Sequence, residues 1–600
     1  MTLFPKQFRQ RTQDRQVFEA SLKFGFSPLQ ARIIAGRASG QDGCADLESL
    51  LFPALKNLHH PELLKDCLRG AELIVEAIRS GKKIGVLTDY DVDGICSHVV
   101  VYKALRQFGV PGDRLISLIG HRMHDGYGIS AKLVDKILAL PEKPDLVVTA
   151  DCGSSDEKQI RRLREAGIDV IVTDHHAIPE AGIPQSAMAT INPLRNDCHY
   201  PDKFISGCMV SWLLLCMVRN RLAECGFIAP DSEKLSGLLD FVGLSTVADA
   251  VTFVSPTNRA VVNSGLRIIN QMRLPAWLVL GVALGKSEKF PFTAEDLAFQ
   301  VAPRINARSR MADPYAALNF FLAESREEAE RQLQKLERNN EERKLTERDM
   351  VKKARKKAEI QIKQHKKSLV VSGGDFHAGV QGIVAARLVD SYGRPAVVLS
   401  PFGEGEILSG SARTIPGVHL FQVLRKMHEQ NPELFLSFGG HKGAAGLKIK
   451  KEKLELFRAS FEDIVCEELY NQDMKPVVLT DGYIEADRLN FGTLAELQKL
   501  EPFGRDFDEP AFEGIFNVTQ SRMVGAEEPV HLSLKLRNQG REFQAIWFNA
   551  VHAPGDKPSI TGGNTIRCAF KLKLNNFRGQ KNIQLLIEYA EPHDIAGLSF

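Results

Sequence analysis

Paired cysteines are what this chain most plainly lacks. Ten cysteines are scattered over 600 residues and no two stand in a CxxC pair, so neither a zinc site nor a disulfide framework is indicated. Reduced structural thiols are the expectation. Long apolar runs are missing as well. The most apolar window, Phe204 to Val218, falls short of the roughly 18 to 20 residues a membrane span needs, and Ser206, Gly207 and Ser211 interrupt it. It predicts a buried helix. The amino terminus has basic residues but no apolar stretch of the kind that directs export, so the expected compartment is the cytoplasm. An excess of charge of either sign is absent too. Lys and Arg number 77 and Asp and Glu 74, a formal charge of +3. Any basic surface for nucleic acid must then be local. With 25 % charged and 44 % apolar residues, the chain is neither disordered nor fibrous. Single cores stop growing near roughly 250 to 300 residues, so about three or four domains are expected.

What is present begins with helical patterns over the first 70 or so residues, then changes texture at Lys83 to short β-branched runs: Ile84–Leu87, Leu146–Thr149 and Val170–Thr173. Between the last two lies DEKQIRRLREAG, a helical segment that stops at Gly167. Strand, helix, strand in about thirty residues is a βαβ unit, which requires a parallel sheet. Each strand runs into chemistry. The first leads to Thr-Asp-Tyr-Asp-Val-Asp-Gly (88–94), the second to Ala-Asp-Cys-Gly (150–153) and the third to Asp-His-His (174–176). Ligands of open parallel sheets bind outside the carboxyl ends of the strands, so five Asp and two His are expected to converge on that edge. The Asp-x-Asp-x-Asp-Gly run is not a calcium loop: its twelfth position is Val100 where Glu is needed, and a strand precedes it. A carboxylate cluster with imidazole suits Mn²⁺ or Mg²⁺. Two such ions about 3.5 to 4 Å apart can share a carboxylate and activate a water between them, which points to a phosphoester or phosphoanhydride substrate. Asp151, on the middle strand, is the best bridging candidate.

From Ser325 to Ser368 there is no Gly or Pro, and Glu, Lys, Arg, Gln and Ala dominate. A continuous helix there would be on the order of 60 Å long, with a strongly basic second half from Val351 to Lys367. A second α/β region runs from about 369 to 465 and contains SFGGHKGAAGL (437–447). From about 475 the pattern becomes short alternating strands, VHLSLKLRN, REFQAIWFNA, TIRCAFKLKLNN and NIQLLIEYA, which indicate a small barrel or sandwich.

Asp89-Tyr90-Asp91-Val92-Asp93-Gly94, Asp151-Cys152-Gly153, Asp174-His175-His176 and Ser245-Thr246-Val247-Ala248-Asp249 together resemble the four-motif core of the DHH phosphoesterase superfamily. GGHKGAAG resembles the glycine-rich signature of the DHH-associated domain. HRMHDGYGIS (121–130), VAPRINARSRM (301–311), the stretch 375–400, GSARTIPGVHL (410–420) and EPFGRDFDEPAF (501–512) narrow the resemblance to the RecJ family of single-stranded-DNA-specific exonucleases, over roughly residues 80 to 590. Within the last motif, GRDFDEP departs from the commoner GNPEP turn.

The resemblance implies an α/β architecture with a parallel-sheet DHH phosphoesterase domain (76–324) and a DHH-associated α/β domain (369–466). A long helix (325–368) joins them, a helical segment (1–75) precedes them, and an oligonucleotide-binding β-barrel (475–595) follows. It implies two Mn²⁺ or Mg²⁺ ions, one held by Asp89, Asp91 and Asp151, the other by Asp93, Asp151, His175 and Asp249. His176 would contact the scissile phosphate or the bridging water. Arg122, Arg304, Asn306, Arg310, Ser411 and Arg413 would bind the 5′-phosphate end, with His441 a further phosphate contact. In the barrel, Phe570, Lys571, Lys573, Phe577, Arg578 and Lys581 mix aromatic and basic types as a strand-binding surface would. The implied activity is 5′-to-3′ exonucleolytic hydrolysis of single-stranded DNA to 5′-mononucleotides, in DNA repair and recombination. The implied partners are single-stranded DNA, a single-strand binding protein and a helicase, with the chain a monomer. Two rivals are a phosphodiesterase for short oligonucleotides or cyclic dinucleotides, and a replication-associated DNA-binding protein that has lost catalysis.

Overall fold

The computed structural model describes residues 5–593 apart from 39–46, 122–124, 126–127, 312–313, 404–405, 471–474, 526–528, 552–554 and 578–579, with backbone only at 308–311, 576–577 and 580. The chain divides into two compact units. One is Arg37–Glu342 with Pro502–Asp508; the other is Met1–Gly36, Arg343–Glu501 and Glu509–Phe600.

In the first unit five strands form a wholly parallel sheet in the spatial order Leu115–Ile119, Ile84–Thr88, Leu146–Ala150, Asp169–Thr173, Ala189–Ile191. Parallel strands covered on both faces are continuously apolar, and every residue of Ile84–Thr88 and Leu146–Ala150 is buried. The three expected strands are present, each one residue longer than its apolar run. The chain order reverses at Ile84–Thr88, which lies between its successor and the strand after that. Such a reversal opens a crevice at the carboxyl ends of the two diverging strands, here those followed by Asp89 and Asp151.

Helices close this edge. Val92–Gln107 starts at Asp91, whose carboxylate accepts the Gly94 N–H at 3.1 Å. The apolar window is the buried helix Gly207–Glu224, capped by Ser206, and no described helix is long and apolar enough to cross a membrane. Leu239–Ala248 ends at Asp249. Pro502–Asp508 joins this unit from some 250 residues downstream.

The long helix is continuous over Arg326–Lys363, 38 residues and so about 57 Å. It runs through the division between the units at Glu342 and Arg343. In the second unit its buried Met350, Ala354 and Ala358 share a core with Leu369, Val371, Phe376, Val380 and Val384. The sheet there has the order Ser437–Gly440, Ala444–Lys450, Ile407–Arg413, Ala396–Phe402, Leu369–Ser372, antiparallel except for the last pair.

The carboxyl-terminal strands close a five-stranded barrel in the order Phe512–Val524, His531–Asn538, Arg541–Trp547, Gln580–Pro592, Thr565–Phe577. Phe512–Val524, absent from the sequence reading, is among its longest strands, and the alternating burial of Phe512, Gly514, Phe516 and Val518 is the signal that marks it. The amino-terminal segment, expected to be helical, also contains a strand: Gln7–Gln10 pairs in parallel with Val477–Thr480.

Candidate metal centre

Asp151 stands where Leu146–Ala150 ends, in a left-handed backbone conformation (φ 65°) that an aspartate adopts at a cost of about 1–2 kcal/mol. The residue is 2 % exposed. Space for it depends on Gly207, where a Cβ would lie 2.7 Å from the Asp151 Cβ and 2.8 Å from its Cα. Gly94 is equally constrained, since a Cβ there would meet the Asp89 carbonyl oxygen at 2.2 Å. Neither requirement was visible in the sequence without the fold.

His175 faces Asp151. Its Nδ1–H donates to the Ile205 carbonyl at 2.9 Å, which turns Nε2 toward the cluster, 3.1 Å from Asp151 Oδ1 and 3.6 Å from Asp93 Oδ2. Asp249 Oδ2 is 3.8 Å from the other ring nitrogen. Asp151 Oδ1 and His175 Nε2 are both buried and neither has a hydrogen-bond partner. Two donor atoms this close and out of water need positive charge between them, and with the carboxylates of Asp93 and Asp249 gathered on the same imidazole the donor set fits a divalent ion.

Among the described residues two compact groups of donor atoms emerge, each with all atoms within 4.8 Å: Asp93, His175 and Asp249, and Asp151, His175 and His176. The first is the core of the set expected for one ion. Asp89, 3 % exposed, and Asp91, which caps a helix, belong to neither group. Asp93 is held rigidly: its carboxylate accepts the Gly207 N–H at 2.7 Å, the Cys208 N–H at 2.8 Å and the Ser245 hydroxyl at 2.7 Å.

Electrostatics agree with a site that wants positive charge. Burial, then Asp93 and Asp91, push the Asp151 carboxyl well above the usual carboxylate range. Burial likewise brings Asp249 up to about 7, with His175 partly offsetting and Asp93 and Asp91 adding. Burial pushes His175 down, but Asp93, Asp249 and Asp174 outweigh it and the imidazole ends above its ordinary value.

Asp174 has a different job, which sequence reasoning missed. Its Oδ1 accepts His176 Nδ1–H at 2.8 Å as well as the N–H groups of His175 and His176, and its Oδ2 accepts the Ser154 N–H. Burial alone depresses His176, yet the Asp174 hydrogen bond and charge raise it to about 9. The imidazolium is thus held through Nδ1 with 44 % of its side chain exposed, an arrangement suited to donating toward an anion. Buried Asn192 braces the same turn, giving hydrogen bonds to Ser154 Oγ and to the His176 carbonyl, both at 2.9 Å. A neutral Asn that far along the chain from the motif carries no local signature.

The expected substrate contacts are placed unevenly. Arg304 lies on the helix Ala302–Met311, its Nε on Glu337 at 2.7 Å and its Nη1 on the Gln300 carbonyl at 2.6 Å, and Asn306 is on the same helix. Arg122, Arg310, Phe577 and Arg578 fall outside the residues whose side chains are described. In the second unit Ser411 and Arg413 project from one face of Ile407–Arg413, with Arg413 Nη1 on Ser411 Oγ at 3.1 Å. They lie over the start of the helix Gln381–Tyr392, where a Cβ on Gly382 would come within 3.1 Å of both. That is a cationic group beside a helix amino terminus, favourable for an anion. His441 is exposed, and its Nδ1 accepts the Gly443 N–H in a hairpin whose close approach needs Gly440 (φ 146°).

The barrel corrects one expectation. Phe570 is not a stacking platform: it is fully buried and packs edge-on against Phe516. Lys571 and Lys573 are outward but paired, with Glu588 at 2.5 Å and Glu509 at 2.7 Å.

Comparison with known proteins follows the same lines. Residues 83–238 match the family model described as "DHH family, N-terminal domain", 365–467 the "DHHA1 domain" and 480–589 the "RecJ OB domain". The single-stranded-DNA-specific exonuclease RecJ of Haemophilus influenzae is 33 % identical over 90 % of this chain and 93 % of its own. That of Escherichia coli is 31 % identical over 98 % and 99 %. Among solved structures, RecJ of Thermus thermophilus in complex with Mn²⁺ superposes with a TM-score of 0.77 at 25 % identity, covering 98 % of this chain and 80 % of that one. An exonuclease RecJ bound to manganese gives 0.56 at 30 % identity over 68 % and 98 %.

Proposed function

The chain belongs to the RecJ family of single-stranded-DNA-specific exonucleases, and on that premise we propose that it degrades single-stranded DNA from the 5′ end, releasing 5′-mononucleotides, with two Mn²⁺ or Mg²⁺ ions. The observation that carries this reading is the pair of buried atoms Asp151 Oδ1 and His175 Nε2, neither hydrogen-bonded, 3.1 Å apart at the switch point of the parallel sheet.

Asp93, Asp151, His175 and Asp249 would hold one ion and Asp89, Asp91 and Asp151 the other. When bound, such ions supply Lewis-acid activation of a water and neutralisation of phosphate charge. The remaining steps fall to the protein. His176, fixed by Asp174, donates its Nε2–H to a non-bridging oxygen of the scissile phosphate and stabilises the charge that grows there. Ser411 and Arg413 bind the terminal phosphate, for which the planar guanidinium is well matched. Arg122, Arg304, Asn306, Arg310 and His441 complete the phosphate contacts, and Phe577 and Arg578 take part in strand binding on the barrel. Family membership supports a monomeric enzyme acting in the cytoplasm in DNA repair and recombination, with a single-strand binding protein and a helicase as partners. The likeness continues through the long helix and the barrel, which a phosphodiesterase for short oligonucleotides has no use for.

The test is degradation of end-labelled single-stranded DNA with Mn²⁺. Asp151→Ala and His175→Ala are expected to lose about 100- to 1,000-fold in rate, as removal of charge-stabilising groups does. Residual activity near wild type would remove the two-metal reading. A 3′-labelled strand that shortens from its labelled end would overturn the polarity.

A further inference from the structure

Residues 501–512 were singled out by sequence, yet nothing in the metal centre so far uses them. Pro502–Asp508 nevertheless packs into the unit that holds the cluster, while the chain on both sides belongs to the other unit. Three contacts anchor it and a turn shapes it. Arg37 Nε donates to the Asp508 carbonyl at 2.7 Å, and Arg259 Nη1 to the Pro502 carbonyl at 2.9 Å. The Arg259 guanidinium, 3 % exposed, sits 4.4 Å above the ring of fully buried Phe507. Gly504 and Phe507 pair across a two-residue turn whose second residue, Asp506, is left-handed.

What the segment grips is the loop that leaves Asp249. The Phe253 N–H donates to the Arg505 carbonyl at 2.8 Å. Arg505 Nη1 donates back to the Ala250 carbonyl at 3.2 Å. Ala250 is itself left-handed (φ 52°), a conformation an alanine holds only when its surroundings impose it. Gly504 lies so close that a Cβ would be 2.7 Å from the Phe253 ring. On its other side the loop is tied by buried Asn258, whose Nδ2 donates to both the Thr252 and the Phe204 carbonyls. The next residue after Phe204 is Ile205, whose carbonyl orients His175. One clamped loop thus lies beside two of the donors.

We infer that Pro502–Asp508 is a positioning strap for the metal centre, and that Arg505 and Gly504 set the place of Asp249 through the backbone of Ala250–Phe253. This rests on the reading of Asp249 as a metal ligand. Arg505 is a positioning residue that touches neither substrate nor ion.

The experiment is direct titration of the purified full chain with Mn²⁺ alone, followed by calorimetry or by the paramagnetic resonance of free Mn²⁺, with no DNA present. Wild type is expected to bind, and Asp249→Asn to lose one of its ions. Arg505→Ala and Gly504→Ala are expected to weaken the same ion by about tenfold, the lower end for residues that orient a ligand. Arg505→Lys, which keeps a donor for the Ala250 carbonyl, recovers most of it, and Arg505→Ala adds nothing to Asp249→Asn. Wild-type Mn²⁺ affinity in Arg505→Ala overturns the strap, and if a separate assay with DNA then shows a raised KM in that variant, Arg505 is a strand contact. A further loss on top of Asp249→Asn means general loosening and overturns it too. Failure of the wild type to bind Mn²⁺ sinks the metal reading instead.

Discussion

His98 shows how the environment, more than the residue type, decides what a titratable group does. It is two turns along the helix that starts at Asp91, wholly buried, with Nδ1 3.1 Å from Thr88 Oγ1 and Nε2 2.9 Å from Ser117 Oγ. Burial pulls its pKa down to about 3. A histidine kept neutral in the fold but free to charge when unfolded contributes stability above pH 6.5 that is lost as pH falls toward 3. Comparing denaturant unfolding of wild type and His98→Gln in the presence of chelator, wild type is expected to lose about 2 kcal/mol more between pH 7.5 and pH 5. Equal acid sensitivity would show that His98 does not carry the effect. Seen one by one, the residues at the strand ends were legible because Asp and His at the end of an apolar run have few other uses. Asp174 was legible as present, not as the partner of His176, because a hydrogen bond to the side chain two residues on leaves no trace in spacing. Asn192 left no trace at all.

At the scale of the element, Gly207 makes the clearest demand. The helix Gly207–Glu224 points its first N–H groups at Asp93 while its first residue stands against Asp151. Gly207→Ala must push backbone apart, because the Cβ meets the Asp151 Cα at 2.8 Å. The expected cost is about 1–3 kcal/mol in stability and about 100-fold in kcat from misplacing the carboxylate proposed to bridge the ions. A thermal melt and a single-turnover rate measure the two separately, and an unchanged rate would mean that the approach relaxes harmlessly. The strands and the long helix were readable because apolar runs and the lack of Gly and Pro are local properties. Phe570 was misread because an alternating strand looks the same whichever face is turned inward. Register, a property of the closed barrel, decides that.

For the whole molecule, the metal-free cluster is a liability. Burial, with the neighbouring charges of Asp93 and Asp91, raises the cost of ionising Asp151 and Asp249, so stability is given up to hold the donors together. Mn²⁺ at a hundred times its dissociation constant is expected to add about 2.7 kcal/mol, a shift of several degrees in Tm. Asp151→Asn, which tolerates the left-handed backbone, is expected to melt at or above the metal-free wild type and to show a much smaller Mn²⁺ shift. A full Mn²⁺ shift in that variant would remove Asp151 from the ion pair.

The helix Arg326–Lys363 bears on how this chain is taken apart. Its second half carries Met350, Ala354 and Ala358 into a core they share with Leu369, Val371 and Val384. A recombinant fragment that begins where the matched domain begins, at residue 365, therefore strips one wall from that core and bares an apolar face to solvent. A soluble piece has to start near Arg343, in the middle of what reads on paper as a spacer.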